Sequence, residues 1–93
     1  LAEAVHSASR RLPAGLPDEA LRWGALQLCR LTQMPAIVTE SAYVMLPEQE
    51  ALLREGASRV RFAQAILEGL RGYYEEYREL QRTEAAERAA ARP

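Results

Sequence analysis

The sequence predicts an α/β fold with the order helix, two adjacent strands and two helices, of which the last is long. Three observations predict it. A continuous apolar run at residues 36–38 is typical of a strand buried on both faces. Bulky apolar residues with weak alternation at 25–31 indicate a preceding strand. From Val60 to Tyr77 apolar residues recur at alternating spacings of three and four, which indicates a helix.

The first helix begins at the start of the chain. Its apolar residues recur at helical spacing and share one face, and they are Leu1, Val5, Ala8 and Leu12. Pro13, Gly15 and Pro17 then end the helix and form a stiff loop. Residues 18–21 suit either one helical turn or the lead-in to a strand, and the sequence leaves both open.

The two predicted strands are joined by a short connection at residues 32–35 that cannot hold a crossover helix. If they are neighbours in a sheet they therefore run antiparallel, and the alternative is that they do not pair directly. Pro35 suits the first residue of the second strand, where a missing N–H costs little. Glu40 then stands at the C-terminal end of that strand. Because ligands bind at this edge of open α/β sheets, Glu40 is the carboxylate that we predict to be functional.

The last two helices are predicted from their end signals and from an apolar stripe. Pro47 suits a first helical position, Gly56 a C-terminal one, and Ser58 an N-cap of the final helix. The apolar residues of that helix that we predict to be buried form a stripe of Val60, Ala63, Leu67, Leu70, Tyr74 and Tyr77. Ile66 and Tyr73 widen this stripe on one side. Gly69 and Gly72 each cost about 1 kcal/mol in a helix interior, which close packing against a sheet or a neighbouring chain would explain. Residues 81–93 are predicted as a helical or frayed tail.

Composition narrows the classes of function. The chain has 93 residues and a net charge of −1, which gives no general attraction to nucleic acid or anionic membranes. Cys29 is the single cysteine, so no disulfide framework exists. No stretch approaches the roughly 18–20 apolar residues of a membrane span, and none resembles a signal peptide. These features favour one small domain or a part of a larger one.

Several blocks in order resemble one enzyme family. The blocks are Ala25–Arg30, the run from Met34 to Glu40, residues 42–44, Pro47–Leu53 and the Phe62–Tyr74 helix. Together they resemble the zinc-dependent N-acetylmuramoyl-L-alanine amidases of the amidase 3 type, over about residues 1–75. The resemblance implies that residues 1–80 are the C-terminal portion of an α/β catalytic domain.

The resemblance also implies site residues. In this family two histidines and a glutamate in the N-terminal half bind zinc, and the glutamate that ends the Pro-Ala strand is the catalytic carboxylate. That role falls on Glu40, and no metal ligand is found in this chain. Tyr43 is implied to bind substrate. Arg30 is implied either to bind substrate or to orient Glu40, and an ordinary surface arginine would suit its position equally well. Thr39 and Tyr43 depart from the family pattern, as does Met45-Leu46 in place of a Ser-Asn pair. The missing pair leaves the shape of the substrate loop in question.

The resemblance implies further properties of the parent protein. We expect the zinc ligands to lie upstream of Leu1, the chain to be inactive alone, and the substrate to be peptidoglycan in the cell envelope or outside the cell. A separate chain carrying the N-terminal part, or a homo-oligomer through residues 60–80, is the expected partner. His6, the single histidine, lies off the apolar face and has no nearby carboxylate or cysteine in the sequence, so we interpret it as a flank or surface residue.

A rival interpretation comes from the final helix. Its stripe and its tyrosines would also suit a non-catalytic interaction module, a degenerate amidase domain that associates through this helix. A helix packed in a core has the same pattern, so the stripe alone does not choose between the two.

Overall fold

The structure, a computed structural model, describes residues 1–11, 16–30 and 33–93. Its helices in chain order are α1 (Ala2–Ser9), α2 (Gln27–Arg30), α3 (Pro47–Arg54) and α4 (Gly56–Ala90). Helices α1 and α3 each pack against α4, and residues between 16 and 22 and between 37 and 43 line a cleft together with residues of α1 and α4. The molecule is therefore elongated along α4, with dimensions of 65 × 28 × 19 Å.

The predicted α/β fold is wrong, because the described residues form helices and no strand. The first predicted strand, residues 25–31, contains instead the short helix Gln27–Arg30, and its last residue lies outside the described ranges. The second, residues 36–40, has no regular secondary structure, and Val38 is 41% exposed instead of buried on both faces. An apolar run favours an extended backbone, but a strand also needs ladder hydrogen bonds from a neighbour. None of the described residues supplies that neighbour.

The first helix is present and buries the predicted face. Val5 and Ala8 are buried, 3% and 5% exposed, which confirms that part of the stripe. Leu12 and the predicted loop residues 13–15 lie outside the described ranges. Residues 18–21 form neither a helical turn nor a strand, since Ala20 has a left-handed backbone with φ 66°.

Helix α1 approaches α4 at Gly69. A Cβ atom at Gly69 would lie 2.5 Å from the Cα of Val5 and 2.9 Å from the carbonyl oxygen of Ala4. The two backbones meet here only because this residue has no side chain. The partner in this contact is a helix of the same chain, and the predicted sheet or neighbouring chain is not needed to explain Gly69. Gly72 has nothing within 4 Å of the same position.

The buried face of α4 differs from the predicted stripe. The buried residues are Ser58, Phe62, Ala65 and Gly69. Val60 is 55% exposed and Leu67 is 45% exposed, so the predicted stripe lies mostly in solvent. Both sets have helical spacing, and only one of them faces α1 and α3. The small residues Ala65 and Gly69 allow close approach, which explains why their face is the packed one.

The corner between α3 and α4 also differs from the prediction. Helix α3 begins at Pro47 as predicted. Its last turn is followed by Glu55 in an extended conformation, with φ −75° and ψ 122°, and Gly56 is the first residue of α4. Ser58 lies inside α4, where its hydroxyl donates to Glu55 Oε2 at 3.2 Å. The Arg59 guanidinium donates to the carbonyl oxygens of residues 53 and 54, which satisfies two acceptors that a helix end leaves open.

The remainder of α4 extends beyond the packed region. From Tyr74 to Ala90 the residues are exposed, and the helix continues to Ala90. Short-range ion pairs, Arg82 with Glu79 and Arg88 with Glu84, lie along it. None of the helices in the described part of the chain combines the length and the apolar content that crossing a membrane would require.

Candidate functional site

A cleft of about 520 Å³ lies between α1, α4 and the irregular segments around residues 16–22 and 37–43. Its apolar floor comes from the helices, including Val5, Phe62 and Ile66. Its polar wall includes His6, Asp18, Glu19, Glu40 and Tyr43. The structure thus gathers titratable side chains from three distant parts of the sequence around one concave surface.

Two of the predicted site residues, Glu40 and Tyr43, line this cleft. Both are exposed, so their polar atoms are accessible to a molecule in the cleft. The segment that carries them is fixed to α3, because the backbone N–H of Tyr43 donates to Gln49 Oε1 at 2.7 Å. Gln49 is itself 6% exposed, and this hydrogen bond satisfies the oxygen of its buried amide. Residues without regular secondary structure are therefore held in place by a side chain of a helix.

The hydroxyl of Tyr43 bonds to a side chain of the segment at residues 16–22. It donates to Glu19 Oε2 at 2.5 Å. This hydrogen bond raises the pKa of Tyr43 above its ordinary value of 10.0, and the negative charge of Glu19 acts in the same direction. The contact joins the segment that carries Glu40 to the segment at residues 16–22.

Asp18 joins that second segment to α1. One of its oxygens, Oδ1, lies 2.8 Å from His6 Nε2, and the other lies 3.0 Å from the Nε of Arg10. Oδ1 also accepts the backbone N–H of Ala20 at 2.8 Å. The hydrogen bonds from His6 and then from Ala20 lower the pKa of Asp18 below its ordinary value of 3.8.

The role of His6 differs from its interpretation as a flank residue with no carboxylate nearby. Its side chain is 25% exposed and is paired with Asp18. The two residues are separated by 12 positions, and no local spacing rule connects residues so far apart in the sequence. Glu19 was missed for the same reason, because its partner Tyr43 lies 24 positions away.

Arg30 lies away from the cleft. It is exposed at the end of α2, and its guanidinium donates to the carbonyl oxygen of Ala25 at 3.1 Å. It is not among the residues that line the cleft. Its substrate-binding role stays a prediction.

The described residues do not fit a zinc site. They contain no group of three His, Cys, Asp or Glu side chains placed to hold a metal ion, whereas a zinc enzyme needs three protein ligands. The chemistry that this cleft can support by itself is proton transfer. An accessible carboxylate such as Glu40 can accept a proton from water and return it to a leaving group.

A polar cleft with an accessible carboxylate is suited to general acid–base catalysis. The profile of the amidase 3 family, described as N-acetylmuramoyl-L-alanine amidase, matches residues 1–72. The chain belongs to this family, which confirms the resemblance found in the sequence. Its relatives include the probable cell wall amidase LytH of Staphylococcus saprophyticus, which is 38% identical over 76 residues. That alignment covers 82% of this chain and 26% of the relative, so the chain spans about a quarter of the relative's length. No solved structure matches the chain.

Proposed function

We propose that this chain is the C-terminal part of a zinc-dependent peptidoglycan amidase, which cleaves the amide between N-acetylmuramic acid and L-alanine. The observation that carries the proposal is the position of Glu40 in the cleft, together with membership of the amidase family. Support for the substrate class comes from the family and from the relative LytH, a probable cell wall amidase. A location in the cell envelope or outside the cell belongs to the same proposal.

In this proposal Glu40 is the catalytic carboxylate. It accepts a proton from the water that attacks the amide carbonyl, and then donates that proton to the nitrogen of L-alanine as the C–N bond breaks. The products are a free carboxyl group on the sugar's lactyl arm and a free amine on the peptide. Glu40 is exposed at the cleft, so water and a carbonyl group can both reach it.

Zinc belongs to the complete domain in this proposal. We propose that its ligands are the two histidines and the glutamate that the family carries in the N-terminal half of the domain, since the described residues contain no group that could hold the metal. The chain alone is therefore proposed to be inactive. Tyr43 and Arg30 are proposed to contact the substrate, Tyr43 from the cleft wall and Arg30 from outside the cleft.

The test is Glu40→Gln in the complete protein. Glutamine keeps the size of the side chain but cannot accept the proton, so the rate should fall by a factor of about 10² to 10⁴. Bound zinc and the folded state should be retained. The measurements are release of peptide from purified sacculi, metal content and circular dichroism on one preparation. Glu76→Gln, an exposed residue of α4 outside the cleft, is the matched control.

Two results would contradict this assignment. Full activity of Glu40→Gln would remove Glu40 from the reaction. Loss of zinc together with activity would make Glu40 a metal ligand, and the division between proton transfer and metal binding would be wrong.

The second candidate function is a non-catalytic module that associates through α4. The exposed apolar side chains of that helix favour it, and they are 45–57% exposed at Val60, Leu67, Tyr74 and Tyr77. It predicts that the chain self-associates and that Leu67→Glu abolishes this association. Sedimentation velocity over a range of concentrations tests it, with Glu76→Gln as control. A monomer at every concentration, with an active complete protein, would leave the amidase as the function.

A further inference from the structure

The cleft is spanned by a series of polar contacts that connects two helices. Helices α1 and α3 each pack on α4 and, among the described residues, do not contact each other. The contacts run from Gln49 on α3 to Tyr43, from Tyr43 to Glu19, and from the neighbouring Asp18 to His6 on α1. The relative position of the two sides of the cleft therefore depends on side chains as well as on the packing against α4.

Tyr43 is held at both ends. Its backbone N–H bonds to the buried Gln49, and its hydroxyl bonds to Glu19 across the wall. Glu40 precedes Tyr43 by three residues on the same irregular segment. No helix or strand fixes this segment, so these two hydrogen bonds restrict its position. Phenylalanine at this position would keep the ring and lose the bond to Glu19.

The neighbouring carboxylates of Asp18 and Glu19 bond to different parts of the fold. Asp18 pairs with His6 and Arg10 on α1, while Glu19 accepts the hydroxyl of Tyr43. The backbone turns after these two residues, where Ala20 has φ 66°, a left-handed conformation that is unfavourable for a residue other than glycine. Asp18 compensates by accepting the N–H of Ala20 at 2.8 Å. The turn is thus anchored on α1 before Glu19 reaches Tyr43.

We propose that Glu19 is a positioning residue, which fixes the segment carrying Glu40 by holding the hydroxyl of Tyr43. The proposal rests on the proposed catalytic role of Glu40, and it adds a residue that acts on Glu40 through the side chain of Tyr43. A carboxylate that transfers a proton must be held within hydrogen-bonding distance of its target, and a displacement of about 1 Å can cost a hundredfold in rate.

The first experiment tests the contact without any activity. In the chain labelled at its tyrosines, NMR follows the titration of Tyr43, and hydrogen exchange follows the backbone amides of residues 40–43. Glu19→Ala should lower the pKa of Tyr43 towards its ordinary 10.0 and speed exchange at residues 40–43. Glu76→Ala should change neither. An unchanged Tyr43 titration and unchanged exchange in Glu19→Ala would overturn the proposal.

The second experiment measures the consequence in the complete protein. Glu19→Ala and Tyr43→Phe should each lower kcat by about tenfold to a hundredfold, because the proton acceptor is misplaced. In the Tyr43→Phe background, Glu19→Ala should cause no further loss of kcat. The double variant and Tyr43→Phe alone should have the same KM. Glu19→Gln keeps an oxygen that accepts the hydroxyl, so it should retain most of kcat. Additive losses, or a Glu19→Gln enzyme as slow as Glu19→Ala, would overturn the positioning role.

The two experiments separate this proposal from the proposed function. If Glu40→Gln kept full activity, the catalytic assignment would fail, whereas the Tyr43 titration and the exchange rates would still show whether Glu19 holds the segment. If Glu40→Gln were inactive and Glu19→Ala fully active, the catalytic assignment would stand and the positioning role would be refuted.

Discussion

The helical frame of α1, α3 and α4 and the irregular segments at residues 16–26 and 33–46 differ in what they contribute. The buried apolar residues of the described chain, Val5, Ala8, Phe62 and Ala65, all lie in the frame. The segments carry the charged wall of the cleft and large exposed side chains such as Trp23, which is fully exposed. Burial of apolar surface is the main source of folding free energy. The frame therefore supplies stability, and the segments supply groups for chemistry.

Two apolar faces of α4 differ in whether they are packed against other helices. One face, with Phe62, Ala65 and Gly69, packs against the other helices, and the other, with Val60 and Leu67, faces solvent. Both are apolar at helical spacing. Hydrophobic pattern alone therefore does not identify the packed face, and substitutions on the two faces should differ sharply.

The largest predicted difference in stability is between Phe62→Ala and Leu67→Ala. Phe62 is 9% exposed in the core, so truncation should lower the free energy of unfolding by about 3–5 kcal/mol. Leu67 is 45% exposed, and its truncation should cost about 1 kcal/mol or less. Urea unfolding followed by circular dichroism measures both. Equal costs would mean that the buried face of α4 has been assigned wrongly.

The glycines of α4 provide a finer comparison. Gly69→Ala places a Cβ 2.5 Å from backbone of α1 and should destabilise by about 1–3 kcal/mol. Gly72→Ala meets nothing within 4 Å and should stabilise the helix by about 0.5–1 kcal/mol. Thermal or urea unfolding of the two variants should give changes in the free energy of unfolding that have opposite signs. A stabilising Gly69→Ala would show that α1 does not approach α4 so closely.

The smallest effect concerns the contact between the frame and the segment at residues 16–22. The pKa of Asp18 is lowered below 3.8 in the folded state by its bonds to His6 and Ala20. Its contribution to the stability of the folded state is therefore fully present above pH 3.8. That contribution is lost as the pH falls through the lowered pKa that Asp18 has in the folded state. Hydrogen exchange of the Ala20 amide should accelerate relative to a frame amide over this acid range.

Asp18→Asn is the control for that pH dependence. Asparagine does not titrate, so the extra acceleration at Ala20 should disappear, and exchange there should already be faster at neutral pH because the ion pair with Arg10 is lost. An Ala20 amide whose acid dependence is the same in both proteins would exclude Asp18 as its cause.

The candidate site was predictable in part. The block from Met34 to Glu40 pointed to Glu40, and the structure places this residue in the cleft with Tyr43. Arg30 was grouped with them but does not line the cleft, and it ends the short helix Gln27–Arg30, where a strand was predicted. Glu19 and Asp18 carried no motif, and their partners come from other parts of the fold.

The sequence by itself determined the features that depend on neighbouring residues. These are the first helix with Val5 and Ala8 on one face, the start of α3 at Pro47, and the ordered blocks that identify the family. A helix can be predicted locally because each N–H bonds to a carbonyl four residues earlier. Only the tertiary structure decided that residues 36–40 form no strand, that Gly69 and not the Leu67 face meets α1, and that Glu19 holds Tyr43. Strand pairing, helix packing and cross-chain hydrogen bonds join residues far apart in the sequence, and their partners exist only once the chain has folded.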